Sequence, residues 1–342
     1  MYDKLFPTTL VGSYPQPAWL VDHSKLRGKT PPRVRDMSLW KVDEADLVEA
    51  QDAATLAAVQ DQEDVGLDIV TDGEIRRESY SNHLATALDG VDLLVPGTRT
   101  DRTGRTIEVP RVTGPIARRE KVMARDAAFL RKATKRLTKM TLPGPFTMTM
   151  QANNEYYDDE EALAMAYADV IREEVADVFA AGIDIVQLDE PYMQANPEKA
   201  KQFAVKAINR ALEGVKGRTA IHMCFGYAYI VEDKPAGYAF LRELEDCAAD
   251  EISIEVAQPK LDLSIIDGMK KSFLIGTLDL ARKDAESADE VAATLRTAAQ
   301  HITPKQIIAA PDCGLKYVPR ELGLAKLAAL VDGAARVRAE FG

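Results

Sequence analysis

Eight short, apolar, β-prone runs separated by helical patterns predict a (β/α)8 barrel, a TIM barrel, for this 342-residue chain. An open, doubly wound sheet would show the same local signals, and two observations favour the closed form. One is the count of eight. The other is that chemically capable residues recur at the carboxyl ends of the runs: Ser13, Glu74, Asp189, His222, Cys224, Glu255, Asp279 and Cys313. In a barrel those ends converge on one mouth, where active sites are built. The length suits one such barrel, so a single domain over 1–342 is expected, with an N-terminal loop and helix extension and one inserted β-hairpin.

The elements follow in order. TTLVGS (8–13) reads as the first strand, stopped by the Gly12-Ser13 turn and Pro15. Residues 16–42 are Pro-rich, basic and poorly periodic, and read as a loop with short helices over one end of the fold. A long amphipathic helix spans 43–64, opened near Asp43. LDIVTDGE (67–74) is the second strand, and a helix over 77–89 is expected after it. Residues 90–118 carry Gly and Asp turns between β-prone pieces, the mark of a hairpin excursion. A basic helix (119–137) leads to the third strand, KMTLPGP (139–145). Helix 159–181 precedes IDIVQLDE (183–190), and helix 197–215 precedes TAIHMCFG (219–226). EISIEV (251–256), SFLIGTLDL (272–280) and QIIAAPDCG (306–314) complete the eight, with a helix expected between each pair and a last one over 319–340.

Composition narrows the function. With 46% hydrophobic and 28% charged residues the chain reads as an ordinary soluble globular protein. A net charge of −11 argues against nucleic acid or an anionic membrane as partner. The N-terminus lacks the apolar core of a secretion signal, and no run approaches the roughly 20 apolar residues of a spanning helix. Three cysteines, Cys224, Cys247 and Cys313, make no disulfide framework, which suits a reducing cytoplasm. Cys247 reads as an inert buried thiol.

The chemistry centres on IHMCFG (221–226). Side chains at i and i+2 of a strand point the same way, so His222 and Cys224 present an imidazole and a thiolate together. Taken alone, H-x-C is weak and fits a core histidine beside a buried cysteine better. Glu255 and Cys313, each at the end of another β-rich run, supply the further ligands that a tetrahedral Zn2+ needs.

TTLVGSYP, DGE (72–74), LPGP (142–145), EEVADVFAAGIDIVQLDEP (173–191), HMC (222–224), ISIE (252–255) and PDCGLK (311–316) together resemble the catalytic C-terminal barrel of the cobalamin-independent methionine synthase family, over almost the whole chain and in the same order. The length matches the short, single-barrel members. The resemblance implies a zinc-dependent methyltransferase acting on a thiol acceptor such as homocysteine, with His222, Cys224, Glu255 and Cys313 as zinc ligands. It implies that Gly12 and Ser13 meet the substrate carboxylate, and that Glu74 and Asp189, the candidate catalytic residues, meet its ammonium. Two positions depart from the family. Ala281 stands where a histidine follows the seventh strand, and Gln151 stands where a tryptophan stacks on the folate. Both concern the methyl donor, which could be a methylfolate, a methylcorrinoid protein or another methylated compound. The alternative reading is a related zinc alkyltransferase with a different electrophile, such as an epoxyalkane:coenzyme M transferase. Retained Glu74 and Asp189 favour an ammonium-bearing thiol.

Overall fold

The structure, a computed structural model, describes residues 2–26, 31–100, 104–226 and 237–342. Along the chain run α1 (Glu44–Asp64), β1 (Ile69–Thr71), α2 (Asn82–Ala85), β2 (Leu88–Thr100), β3 (Thr106–Arg118), α3 (Ala124–Ala133), β4 (Leu137–Pro143), α4 (Pro145–Met150) and β5 (Asn153–Asn154). They are followed by α5 (Glu160–Ala180), β6 (Ile185–Asp189), α6 (Pro191–Ala195), α7 (Pro197–Ala211), β7 (Arg218–Met223), β8 (Glu251–Ile254), β9 (Ser272–Gly276), α8 (Ala288–His301), β10 (Ile307–Ala310) and α9 (Arg320–Phe341).

Seven of these strands form one parallel sheet in the order β1-β4-β6-β7-β8-β9-β10. The N-terminal segment closes it. Thr8 bridges Ala309 and Thr9 bridges Ile69, both parallel, so this segment lies between the last strand and the first. The sheet is thus a closed (β/α)8 barrel whose eighth stave has only two bridging residues, not the six expected from TTLVGS. Beyond Thr9 the segment is tied by single bonds: Thr71 Oγ1 donates to the Gly12 carbonyl at 2.7 Å, and the Tyr14 N–H to the Gly73 carbonyl at 2.9 Å.

Every residue of β6, β8 and β10 is buried, because helices cover the outer face and side chains fill the inner one. Asp159 caps α5 by accepting the Ala162 N–H, and a Ser287–Glu290 capping box opens α8. The short α4 is capped from another strand end. Glu190, just after β6, accepts the N–H groups of Phe146 and Thr147 at 3.0 and 2.8 Å. A side chain at Gly144 would sit 2.2 Å from that carboxylate, which explains the glycine.

The hairpin insertion is present as β2 and β3, antiparallel from Leu88↔Arg118 to Thr100↔Thr106, with β5 added alongside β3. Other expectations need correction. The helix expected over 77–89 is a single turn, α2, and β2 already begins at Leu88. The side chains that would have lined that helix are committed elsewhere: Arg77 donates to Thr141, and Glu78 accepts from Trp40 Nε1 of the N-terminal extension. Among the described residues, β7 and β8 are separated by a 3-10 helix, Arg242–Asp246, and β8 and β9 by another, Leu263–Ile266, in place of α-helices. No helix among the described residues is long and apolar enough to cross a membrane.

Candidate metal centre

β7 delivers His222 within its last turn of ladder and Cys224 directly after it; Cys313 lies three residues past β10. The ligand atoms of these three lie within 4.8 Å of one another, and all three residues are at most 5% exposed. Zinc bond lengths of about 2.0–2.3 Å place tetrahedral donors roughly 3.3–3.8 Å apart, so only a small contraction is needed. The histidine is set for the task. Its Nδ1 meets Ser253 Oγ at 2.9 Å on the neighbouring strand, while Nε2 is buried with no hydrogen-bond partner. A buried nitrogen left bare beside two thiols is costly unless something coordinates it. These residues therefore fit a zinc ion.

Glu255, the expected fourth ligand, stands outside that cluster. It is fully buried, and its Oε1 accepts the Phe225 N–H at 3.1 Å, one residue from Cys224. Its own N–H donates to Tyr238 Oη at 2.8 Å. A carboxylate held by a backbone N–H is adjacent to the site and engaged with the chain. Asp312, missed in the sequence although it directly precedes Cys313, accepts the N–H groups of Val256, Ala257 and Gln258 at 2.9, 3.0 and 2.7 Å. One carboxylate thereby links the strand ends that carry Glu255 and Cys313. Gly276 makes room for it, since a side chain there would meet Asp312 Oδ1 at 2.2 Å.

Two further carboxylates are buried at the mouth. Glu74 follows Gly73 in a left-handed conformation (φ 53°) that strongly disfavours ordinary side chains, and such strain concentrates at functional sites. Its Oε1 accepts from Thr141 Oγ1 at 3.0 Å, and a side chain at Gly12 would lie 2.6 Å from that same oxygen. Burial raises the Glu74 pKa, and the cations Arg77 and Lys316 oppose the rise. Burial also pushes Asp189 up to about 7; His222 opposes this and Glu74 adds to it, so the two carboxylates feel each other. Ser13 Oγ is buried with no hydrogen-bond partner, and Gly314 lies against it so closely that a side chain there would clash. Gly12, Ser13, Glu74 and Asp189 thus line the mouth with the metal cluster.

Asp279 is turned into its own loop, where Oδ1 accepts the Ala281 N–H at 2.8 Å. Ala281 is exposed. Gln151 is buried, donating to Tyr80 Oη and accepting from Ser81 Oγ. Sequence reasoning also missed the buried cations. Lys316 Nζ reaches Gln16 Oε1 at 2.7 Å and the Arg77 carbonyl at 3.0 Å, and its only signal was its place in PDCGLK.

A closed parallel barrel with a buried His-Cys-Cys cluster among carboxylates at its mouth defines a (β/α)8 protein with a candidate metal centre. The model of the cobalamin-independent synthase catalytic domain matches residues 6–336, and the chain belongs to that family. The methionine synthase of Sulfolobus acidocaldarius is 30% identical over 98% of this chain and 94% of its own length. The B12-independent methionine synthase of Shewanella sp. W3-18-1, solved with selenomethionine, superposes with a TM-score of 0.89 at 32% identity, covering 98% of this chain and 99% of that one. A putative B12-independent methionine synthase from Listeria monocytogenes, at 21% identity and a TM-score of 0.72, shares the fold.

Proposed function

We propose that the protein is a zinc-dependent methyltransferase that converts a thiol amino acid, homocysteine first, into its methyl thioether. The observation that carries this reading is the buried His222, Cys224 and Cys313 cluster with its bare imidazole nitrogen, set beside two carboxylates and an unpartnered serine hydroxyl. The three residues would hold zinc, with Glu255, whose Oε1 accepts the Phe225 N–H next to Cys224, as the exchangeable fourth ligand. Zinc, when bound there, lowers the pKa of the acceptor thiol and keeps it as the nucleophilic thiolate.

The chain's own residues bind the other end of the acceptor. Glu74 and Asp189 accept hydrogen bonds from its ammonium, and Ser13 Oγ, with the Gly12 backbone close by, donates to its carboxylate. The acceptor sulfur forms the new bond to the methyl carbon as the bond from methyl to the donor breaks with its electron pair. The thiol proton has left for solvent beforehand. Ala281 and Gln151 remove the imidazole and the aromatic stack associated with folate use, so the donor differs from the usual folate in identity or in pose.

Zinc-loaded protein incubated with homocysteine and a panel of methylfolate, methylcobalamin and other methylated compounds should yield methionine with at least one donor, measured by mass spectrometry. Homocysteine left untouched by every donor, with coenzyme M alkylated instead, would overturn this reading in favour of a sulfonate-thiol transferase.

A further inference from the structure

The amino acid end of the proposed pocket depends on pieces of chain that the sheet holds weakly. After Thr9 the N-terminal segment leaves the ladder, yet Gly12 and Ser13 must stand against Glu74. Asp189 must present its carboxylate in one orientation. Lys139, in the middle of the barrel, touches the supports of both. Its Nζ donates to the Leu10 carbonyl at 2.5 Å and to Gln187 Oε1 at 3.0 Å. Gln187 in turn donates Nε2 to Asp189 Oδ1 at 2.8 Å.

The order of these bonds is dictated. An amide has an acceptor end and a donor end of similar shape, and its orientation follows from its partners. The Asp189 carboxylate takes the amide N–H, so Gln187 turns its oxygen to Lys139, whose Nζ carries donors whether charged or neutral. Both residues are buried, Lys139 at 1% exposure and Gln187 at 0%. Burial draws the Lys139 pKa down to about 7, with Glu251 and Asp189 opposing the fall. A neutral amine keeps two N–H donors, enough for both acceptors. A lysine in a barrel interior is expensive to bury, and an apolar residue of the same volume would avoid that cost.

We propose that Lys139 and Gln187 are positioning residues for recognition of an α-amino acid: Lys139 fixes the Gly12-Ser13 turn through Leu10 and the Asp189 carboxylate through Gln187. One buried side chain then sets the spacing between the partner of the acceptor's carboxylate and the partner of its ammonium. This inference rests on the reading of Ser13 and Asp189 given under the proposed function.

The test uses zinc-loaded wild type, Lys139→Met and Gln187→Met, with zinc content and circular dichroism as controls for folding. Calorimetry measures the binding of homocysteine, of mercaptobutanoate, which lacks the ammonium, and of aminopropanethiol, which lacks the carboxylate. Wild type should prefer homocysteine to each truncated thiol by about tenfold or more. Gln187→Met should lose about tenfold of the preference over mercaptobutanoate and keep that over aminopropanethiol; Lys139→Met should lose both. A uniform loss across all three thiols marks a merely structural role and overturns the proposal. Unchanged preferences in Gln187→Met overturn it even if Lys139→Met does not fold. A wild type indifferent among the three thiols fails the underlying reading of Ser13 and Asp189, before any substitution is considered.

Discussion

The two sides of the barrel mouth are held in place by different means. On the metal side, His222, Cys224 and Cys313 lie at or just past the ends of β7 and β10; β7 runs in parallel ladders of four or more paired residues with β6 and β8, and β10 in one of four with β9. Their supports are short: a serine hydroxyl on His222, a backbone N–H on Glu255 and three backbone N–H groups on Asp312. On the amino acid side, Gly12 and Ser13 lie beyond a two-residue bridge and Glu74 lies in a left-handed turn. Here single bonds such as that from Thr71 Oγ1 to the Gly12 carbonyl are supplemented by long cationic side chains, Arg77, Lys139 and Lys316. Ladders fix backbone and so fix ligand spacing, whereas side-chain ties permit graded adjustment. Damage on the first side should be all-or-none for the metal. Damage on the second should be graded for the acceptor, with the metal in place.

The largest expected effect follows on the metal side. Cys224→Ser and Cys313→Ser should each lose nearly all of one bound zinc equivalent, measured by metal analysis after dialysis against a weak chelator. Glu255→Gln should retain the ion with affinity lowered about tenfold, in line with an exchangeable fourth ligand added to the three-residue cluster. A full equivalent retained by both serine variants would break the assignment.

Asp189→Asn comes next. It removes one charge-assisted hydrogen bond to the ammonium, worth roughly 1.5–3 kcal/mol, and should weaken homocysteine binding about ten- to a hundredfold. Zinc content should stay at the wild-type level, which is the contrast between the two sides. Calorimetric titration of homocysteine and coenzyme M decides it, since tighter binding of the sulfonate by the variant would point to the other thiol class.

The smallest effect is on stability. Lys139 has a folded-state pKa near 7, well below its ordinary value of 10.5. Between those values the unfolded chain holds a proton that the folded chain lacks, so this residue's contribution to stability rises with pH. It is fully present above about 10.5 and lost as pH falls towards 7. Glu251 and Asp189, the charged groups facing Lys139, damp the change. The melting temperature of Lys139→Met minus that of wild type should therefore shrink as pH rises from 7 towards 10. A constant difference would mean that Lys139 keeps its proton in the folded protein.

What the sequence made legible divides along the same line. Strand ends announce themselves by apolar runs, so the barrel, the hairpin and the H-x-C pair could all be read, as could Cys313. Glu255 reads as a ligand from its place after ISI, while the Phe225 N–H that holds its Oε1 is a partner that periodicity does not encode. The 77–89 segment had helical composition, yet its Arg77 and Glu78 are claimed by Thr141 and Trp40, partners 64 and 38 residues away. Lys139 was invisible for a related reason. KMTLPGP reads as the third strand with nothing to mark its lysine, whose partners Leu10 and Gln187 lie 129 and 48 residues away.

The stave that closes the barrel is the first to be synthesised, and one of its two neighbours, β10, lies about three hundred residues later. Lys316 meets Gln16 across a separation of 300 residues. During synthesis, which proceeds from the N-terminus, the segment meets its neighbour β1 early, through Thr9 and Ile69, and its other neighbour β10 only near the end. Ser13 and Gly314 therefore cannot meet on a chain that stops short of residue 314, even one long enough to carry the H-x-C pair. On the function proposed above, binding of an amino acid thiol reports that synthesis has passed Gly314, so the pocket registers how far the chain has grown.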